Sequence, residues 1–268
     1  MAIITISRGS YTKGKEISEK VAERLGYGCI SRDVLLEASK DFNVPEIKLI
    51  RAIHDAPSIL DRFGYTKEKY IAYIEAAILR HLRKDNTIYC GLAGHFFVKN
   101  VAHALKVRII ADLEDRVKNE MEREGISKEE ALRIIKKDDE ERRKWSKHLY
   151  GIDTSDPSLY DLVIHIKKIT VDDAVSIICD TITLDRFKTT PESQQAIDDL
   201  AVAAEVKAAI VDLKPDVHVT CSNGIVHVDT RSLLSKEQAL VQDIQRAAKF
   251  IEGVKEIHVN VKLTDPID

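Results

Sequence analysis

A short loop near the start of the chain has the residue types and spacing that phosphate binding requires. Its residues are, in order, Gly9, Ser10, Tyr11, Thr12, Lys13, Gly14 and Lys15. In a tight loop before a helix, several backbone N–H groups converge on one anion. The helix N-terminus adds partial positive charge, and a lysine can bridge phosphate oxygens. The spacing therefore predicts a polyphosphate site, against the alternative of an ordinary strand-to-helix turn with a solvated lysine.

Glu16 departs from the general pattern, because most such loops carry at this position a serine or threonine that binds magnesium. A carboxylate cannot act as a hydroxyl ligand, and near the phosphates it would repel them. Ser10 or Thr12 could supply the hydroxyl, or the nucleotide and water could hold most of the metal. No protein ligand to a metal is therefore predicted.

The elements that must position this loop can be predicted on both sides of it. An apolar strand is indicated by Ile3, Ile4 and Ile6, and an amphipathic helix by Ile17, Val21, Ala22 and Leu25, with Gly26 as its C-cap. A buried strand, a loop and a helix in this order form the structural setting that the motif demands.

Further along the chain, short apolar runs alternate with helical patterns. Strands are predicted over 87–90, 105–111 and 162–166, and helices over 31–63 (broken at Pro45 and Pro57), 66–83, 127–149 and 171–182. This alternation is typical of an α/β fold, in which helices cover both faces of a parallel sheet.

The apolar rhythm is lost over 184–197, and we predict a linker over 187–196 between a first domain, 1–186, and a second domain, 197–268. The second domain is predicted to be a small α+β unit of order αββαβ, beginning with a helix over 198–213. Asn223-Gly224 between two alternating runs is a strong signal for a hairpin.

Composition limits the classes of protein. The 268 residues carry a net charge of -3, so no global basic field predicts a nucleic-acid partner. No apolar stretch is long enough for a transmembrane segment. The 4 cysteines are scattered without a zinc-ligand spacing, and we expect a reduced, cytoplasmic protein.

Two sets of motifs resemble known families. Ser7-Arg8, Gly14-Lys15-Glu16-Ile17, Gly26-Tyr27, Arg32-Asp33 and the run over 156–163 resemble the cytidylate kinase-like family of P-loop kinases, over about residues 1–185. In that family a glutamate at the position of Glu16 is usual. The stretches 223–226 and 253–257 make the C-terminal part similar to a BON domain.

The first resemblance implies a P-loop kinase-like fold of three layers and ATP-dependent phosphoryl transfer, with Mg²⁺, to a nucleoside monophosphate such as CMP or dCMP. It implies that Lys15 neutralises the phosphates, and that Arg142 and Arg143 of a lid over 136–147 stabilise the transferred group. Spacing alone equally fits a solvated helix with i, i+4 pairs, such as Asp138 with Arg142 and Asp139 with Arg143.

On the acceptor side, the resemblance implies that Arg32 and Asp33 contact the nucleoside monophosphate, although Asp33 could also cap a helix. Cytidylate kinases usually place an arginine directly after the glycine that corresponds to Gly91, where this chain has Leu92. His95 could partly replace that arginine if it were protonated, or it could be a packing residue.

Two further hypotheses remain open from the sequence. Leu92 and Glu16 would also suit a nucleotide-binding regulator that turns over slowly or not at all. Alternatively, the BON-like domain could be the functional part and bind a lipid headgroup or a protein partner.

Overall fold

The computed structural model of the chain describes residues 2–9, 12–31, 33–44, 49, 66–91 and 94–264. In these residues the larger sheet is formed by Ile3–Arg8 (β1), Gly28–Ile30 (β2), Thr87–Cys90 (β3), Ala104–Ala111 (β4) and Leu162–Ile166 (β5). Its strands are all parallel, in the order β2-β3-β1-β4-β5. The central strand β1 is therefore the one that leads into the predicted phosphate loop.

Helices cover both faces of this sheet. Their bounds are Gly14–Leu25 (α1), Asp33–Asp41 (α2), Thr66–Leu82 (α3), Gly94–Phe97 (α4), Leu113–Glu124 (α5), Lys128–Tyr150 (α6) and Val171–Ile182 (α7). Ile4 and Ile6 pack with residues of α1 and α7 on one face, whereas Ile3 and Tyr89 pack with α3 on the other. The predicted α/β class, with a helix-covered parallel sheet, is confirmed.

The C-terminal unit has the predicted order of elements. It consists of Pro191–Ile210 (α8), His218–Ser222 (β6), Ile225–Ser232 (β7), Leu234–Ala248 (α9) and Glu256–Leu263 (β8). Strands β6 and β7 form an antiparallel hairpin, and β8 lies parallel to β7. Asn223 and Gly224 at the hairpin turn both have positive φ, 51° and 82°, which is why this pair of residue types signals a hairpin.

Helix α8 begins seven residues earlier than the predicted 198, at Pro191. The Thr190 hydroxyl accepts a hydrogen bond from the Ser193 N–H at 3.2 Å, and the Ser193 hydroxyl accepts one from the Thr190 N–H at 2.9 Å. Proline suits the first helical position because its missing N–H would have no helical partner there. Residues 191–196 are therefore helical, so the predicted linker over 187–196 contains the start of α8.

Helix α8 is apolar on two sides. Ile197, Ala201, Ala204 and Ala208 belong to the same buried cluster as α3, whereas Val202, Val206 and Ile210 belong to the core of the small sheet. The helix thus contributes to two hydrophobic cores at once.

In the part of the chain that the structure describes, no helix combines the length and the apolarity needed to cross a membrane.

Candidate active site

The described residues of the predicted phosphate loop lie between β1 and α1. The Gly9 N–H donates to the Ile109 carbonyl at 3.2 Å, and the Thr12 N–H and hydroxyl both donate to the Gly9 carbonyl, at 3.5 and 3.2 Å. These bonds tie Gly9 to β4 and Thr12 to Gly9. Ser10 and Tyr11, predicted as phosphate ligands, lie outside the described residues.

Gly14 is required by close packing at the end of the loop. A Cβ atom added there would lie 2.8 Å from the Cβ of Arg8, closer than real Cβ contacts. The Gly14 carbonyl accepts from the Ser18 hydroxyl at 2.7 Å and from the Cys90 thiol at 3.7 Å. The first turn of α1 is thereby held against the end of β1 and the end of β3.

The lysines of the loop remain accessible. The Lys15 side chain is 68% exposed and its ammonium lies 3.6 Å from the Glu19 carboxylate, an i, i+4 pair on the helix surface. Glu16 lies between Lys13 and Lys20, at 3.8 and 3.6 Å. These two cations offset the negative charge that would otherwise repel a phosphate.

Among the described residues of this segment, neither Thr12 nor Glu16 is well placed to bind a magnesium ion. Thr12 is buried with its hydroxyl turned toward the Gly9 carbonyl, and the Glu16 carboxylate is paired with Lys13 and Lys20. The metal would therefore be held mainly by the nucleotide and water.

The predicted lid is the long helix α6, and it reaches the loop. Ser127 caps it by accepting from the Glu130 N–H at 3.2 Å, as its sequence pattern predicts. Arg142 donates to the Arg8 carbonyl at 3.2 Å, at the entrance to the loop, whereas Arg143 is exposed. Of the two predicted lid arginines, only Arg142 is thus described in contact with the loop.

Arg116 is a site residue that the sequence reasoning missed. Its guanidinium donates two hydrogen bonds of 2.8 Å to the carboxylate of Asp139 in α6, and its central carbon lies 4.0 Å from where a Gly9 Cβ would be. Asp139, predicted as a partner of Arg143, is therefore bound to Arg116, which connects the lid to the loop. The one sequence feature that could have indicated Arg116 is its position shortly after β4.

A buried polar network adjoins the loop on the α3 face of the sheet. Tyr160 is its centre: its hydroxyl lies 3.5 Å from the Ser7 hydroxyl, 3.5 Å from the His95 ring and 3.0 Å from the Arg108 guanidinium. Arg108 and the Tyr160 hydroxyl also donate to the Thr154 carbonyl. The motif over 156–163 therefore places Tyr160 against Ser7, near the end of β1, and against Arg108 of β4.

His95 belongs to this network and is only 5% exposed. Burial, reinforced by the positive charges of Arg108 and Lys106, lowers the pKa of His95 to about 3. The ring is therefore neutral at neutral pH, which favours the alternative of a packing residue over that of a protonated ring bound to a phosphate.

Acidification should reduce stability partly through His95. The unfolded residue takes up a proton near pH 6.5, whereas the folded ring stays neutral down to pH values near 3. The unfolded state therefore binds the extra proton, and this group should cost about 1 kcal/mol of stability between about pH 7 and pH 5.5. Urea unfolding at the two pH values should show that His95→Phe loses less free energy of unfolding on acidification than wild type does.

The exposed His218 provides the control for this measurement, since His218→Gln should leave the pH dependence unchanged. The assignment is wrong if His95→Phe loses as much free energy of unfolding as wild type over the same interval.

On the acceptor side, Asp33 is exposed and begins α2. Arg32 and Leu92 lie outside the described residues. The Tyr89 side chain occupies the space next to two glycines. A Cβ atom at Gly91 would lie 2.4 Å from the Tyr89 hydroxyl, and one at Gly94 would lie 2.5 Å from the Tyr89 ring.

A glycine-bounded loop after the central strand of a parallel sheet, with an arginine of a long helix at its entrance, defines a P-loop kinase. Comparison with known protein families agrees with this class, because residues 3–168 match the cytidylate kinase-like family. The chain belongs to the cytidylate kinase-like family, and its class of enzyme is nucleoside monophosphate kinase.

Similar proteins support this assignment. The cytidylate kinase of Pyrococcus horikoshii is 30% identical over 181 residues, which are 66% of this chain and 85% of that protein. The cytidylate kinase of Thermococcus kodakarensis is 36% identical over 112 residues, 38% of this chain and 57% of that protein. A solved structure of an uncharacterized protein from Eubacterium ventriosum, 22% identical, matches the fold with a TM-score of 0.51 over 68% of this chain and 97% of that one.

Proposed function

We propose that this kinase transfers the γ-phosphoryl group of ATP to a pyrimidine nucleoside monophosphate, CMP or dCMP, with Mg²⁺ accompanying the nucleotide. Membership of the family and the names of its relatives support the choice of acceptor. The observation that carries the proposal is the hydrogen bond from Arg142 to the Arg8 carbonyl, 3.2 Å long. It supports the proposal because it holds a guanidinium at the end of β1, directly before the loop.

In this proposal each loop residue has an electrostatic role. Backbone N–H groups over 9–15 hold the phosphates, and the exposed ammonium of Lys15 moves from Glu19 to their oxygens. The guanidinium of Arg142 stabilises the charge that spreads over the transferred group, with Arg143 as a second cation of the same lid.

Asp33 is proposed as an acceptor-side residue because of its position. It follows β2 by three residues, and the carboxyl ends of parallel strands meet at one edge of a sheet, so it lies at the same edge as the phosphate loop. A carboxylate there can accept hydrogen bonds from the donor groups of a nucleoside.

A nucleotide panel tests the proposal. Purified protein with ATP and Mg²⁺ should form ADP with CMP and dCMP, and more slowly with UMP, AMP or GMP. The same mixture without an acceptor measures background ATP hydrolysis. If no monophosphate raises ADP formation above this background, the proposed reaction is wrong.

The C-terminal unit is proposed to be BON-like over 197–268, supported by its αββαβ order and its Asn223-Gly224 hairpin. The first domain is likewise proposed to end near residue 186. Nothing in the described residues favours a nucleotide-binding regulator, or a lipid or protein ligand of the C-terminal unit, so neither is proposed.

A further inference from the structure

The guanidinium of Arg80 connects three helices, α2, α3 and α8. Arg80 of α3 donates to Glu205 of α8 at 2.7 Å, to Asp41 of α2 at 2.5 Å and to Glu37 of α2 at 3.4 Å. The neighbouring His81 ring lies 2.5 Å from the other carboxylate oxygen of Glu37. The hydrogen bond to Glu205 is the largest cause of the raised pKa of Arg80.

The α2 side of this cluster is connected to the acceptor site. Glu37 and Asp41 follow Asp33 by four and eight residues, so the three carboxylates lie along one face of the helix. Helix α2 buries Val34, Leu35 and Ala38. Apolar contacts hold the helix against its neighbours but are non-directional, whereas the forked bonds of an arginine fix its rotation and its position along its axis.

The α8 side of the cluster is a fixed support. Asp212 accepts a hydrogen bond from Tyr73 at 3.2 Å and pairs with Lys69, and Asp198 pairs with Arg83 at 3.2 Å. Asp212 follows the end of α8 by two residues and Arg83 directly follows α3, so these pairs lie at the ends of the two helices. Among these described ion pairs, the one made by Arg80 is the pair that continues to α2.

We propose that Arg80 is a positioning residue for the kinase reaction, holding α2 and its Asp33 in place for the acceptor with Glu205 of the C-terminal unit as the anchor. This inference rests on the proposed function for the identity of the acceptor. Without Arg80, the carboxylates of Glu37, Asp41 and Glu205 lose the cation that they share. Glu37 keeps its contact with the His81 ring, but the link through Arg80 from α2 to α8 is lost.

Steady-state kinetics with a matched control test the proposal. Arg80→Ala should raise KM for CMP about tenfold while kcat and KM for ATP change less than about threefold, since acceptor binding is weakened rather than the chemistry. Arg80→Lys keeps one cation without the forked geometry, and its KM for CMP should fall between those of wild type and Arg80→Ala. Arg83→Ala is the control: Arg83 is 29% exposed against 33% for Arg80, and it also joins α3 to α8. It should leave KM for CMP within about twofold.

Amide hydrogen exchange of residues 33–41 without nucleotide gives a second readout. Arg80→Ala should speed exchange in α2, and Arg83→Ala should not. If Arg80→Ala fails to fold, Glu205→Ala removes only the anchor, and it should raise both the exchange rate in α2 and KM for CMP.

The outcomes separate this inference from the proposed function. If the wild-type protein does not phosphorylate CMP, the proposed function fails while the exchange data still decide the role of Arg80. Unchanged exchange in α2, or equal effects of Arg80→Ala and Arg83→Ala on KM, would overturn the positioning role.

Discussion

Replacing Lys15 by alanine should lower kcat/KM for phosphoryl transfer at least about a hundredfold, as expected when a cation that stabilises transition-state charge is removed. The Lys15 ammonium is at the first turn of α1, 68% exposed, and held only by a 3.6 Å pair with Glu19. Exposed pairs of this kind contribute a few tenths of a kcal/mol, so the side chain is free to move to a phosphate.

A coupled assay for ADP measures the effect, and Lys118→Ala is the matched control. Lys118 forms a similar exposed i, i+4 pair, 3.9 Å from Glu122, on a different helix. It should retain activity within about twofold. A Lys15→Ala enzyme as active as Lys118→Ala would show that the loop does not bind the transferred phosphates.

Gly14→Ala should abolish nucleotide binding and reduce stability by about 1 to 3 kcal/mol, the usual cost of forcing extra atoms into a packed site. The added methyl would lie 2.8 Å from the Cβ and 3.0 Å from the Cδ of Arg8. Because the Cβ of Arg8 is bonded to the backbone of β1, it cannot turn away, and the loop must shift. The measurements are urea unfolding and the thermal shift that ATP induces.

Gly28→Ala controls for the loss of a glycine in general. The nearest atom to a Cβ at Gly28 is the Asn86 carbonyl oxygen, 4.0 Å away, so this variant should keep both its stability and its ATP-induced shift. An unchanged ATP-induced shift in Gly14→Ala would contradict the close packing that we assign to the loop.

Features set by neighbours in sequence were predictable. The C-cap Gly26 has a positive φ of 69°, and Ser127 caps α6, because a single residue type suffices for each of these geometries. Four strands of the large sheet were likewise visible as apolar runs, whereas the three-residue strand β2, Gly28–Ile30, was not predicted. Helix α5 was missed because its sequence is mostly polar and only Val117 and Glu120 are buried.

Features that depend on distant contacts were not predictable. The bond between Arg142 and Arg8 spans 134 residues, and the pairing of Arg116 with Asp139 competes with several nearby charges of the same sign. The neutral state of His95 follows from burial and from Arg108 of β4, neither of which a sequence pattern reveals. The segment that contains Pro191 was predicted to be a linker, although proline is equally suited to begin a helix.

The double-sided helix α8 has a consequence for how this enzyme can be divided. The family match ends at residue 168, yet Ile197 and Ala201 fill part of the core beside α3. A fragment cut to the family boundary would leave that apolar groove uncovered and aggregation-prone. The C-terminal unit therefore completes the hydrophobic core beside α3, and its removal would destabilise the kinase part of the chain as well.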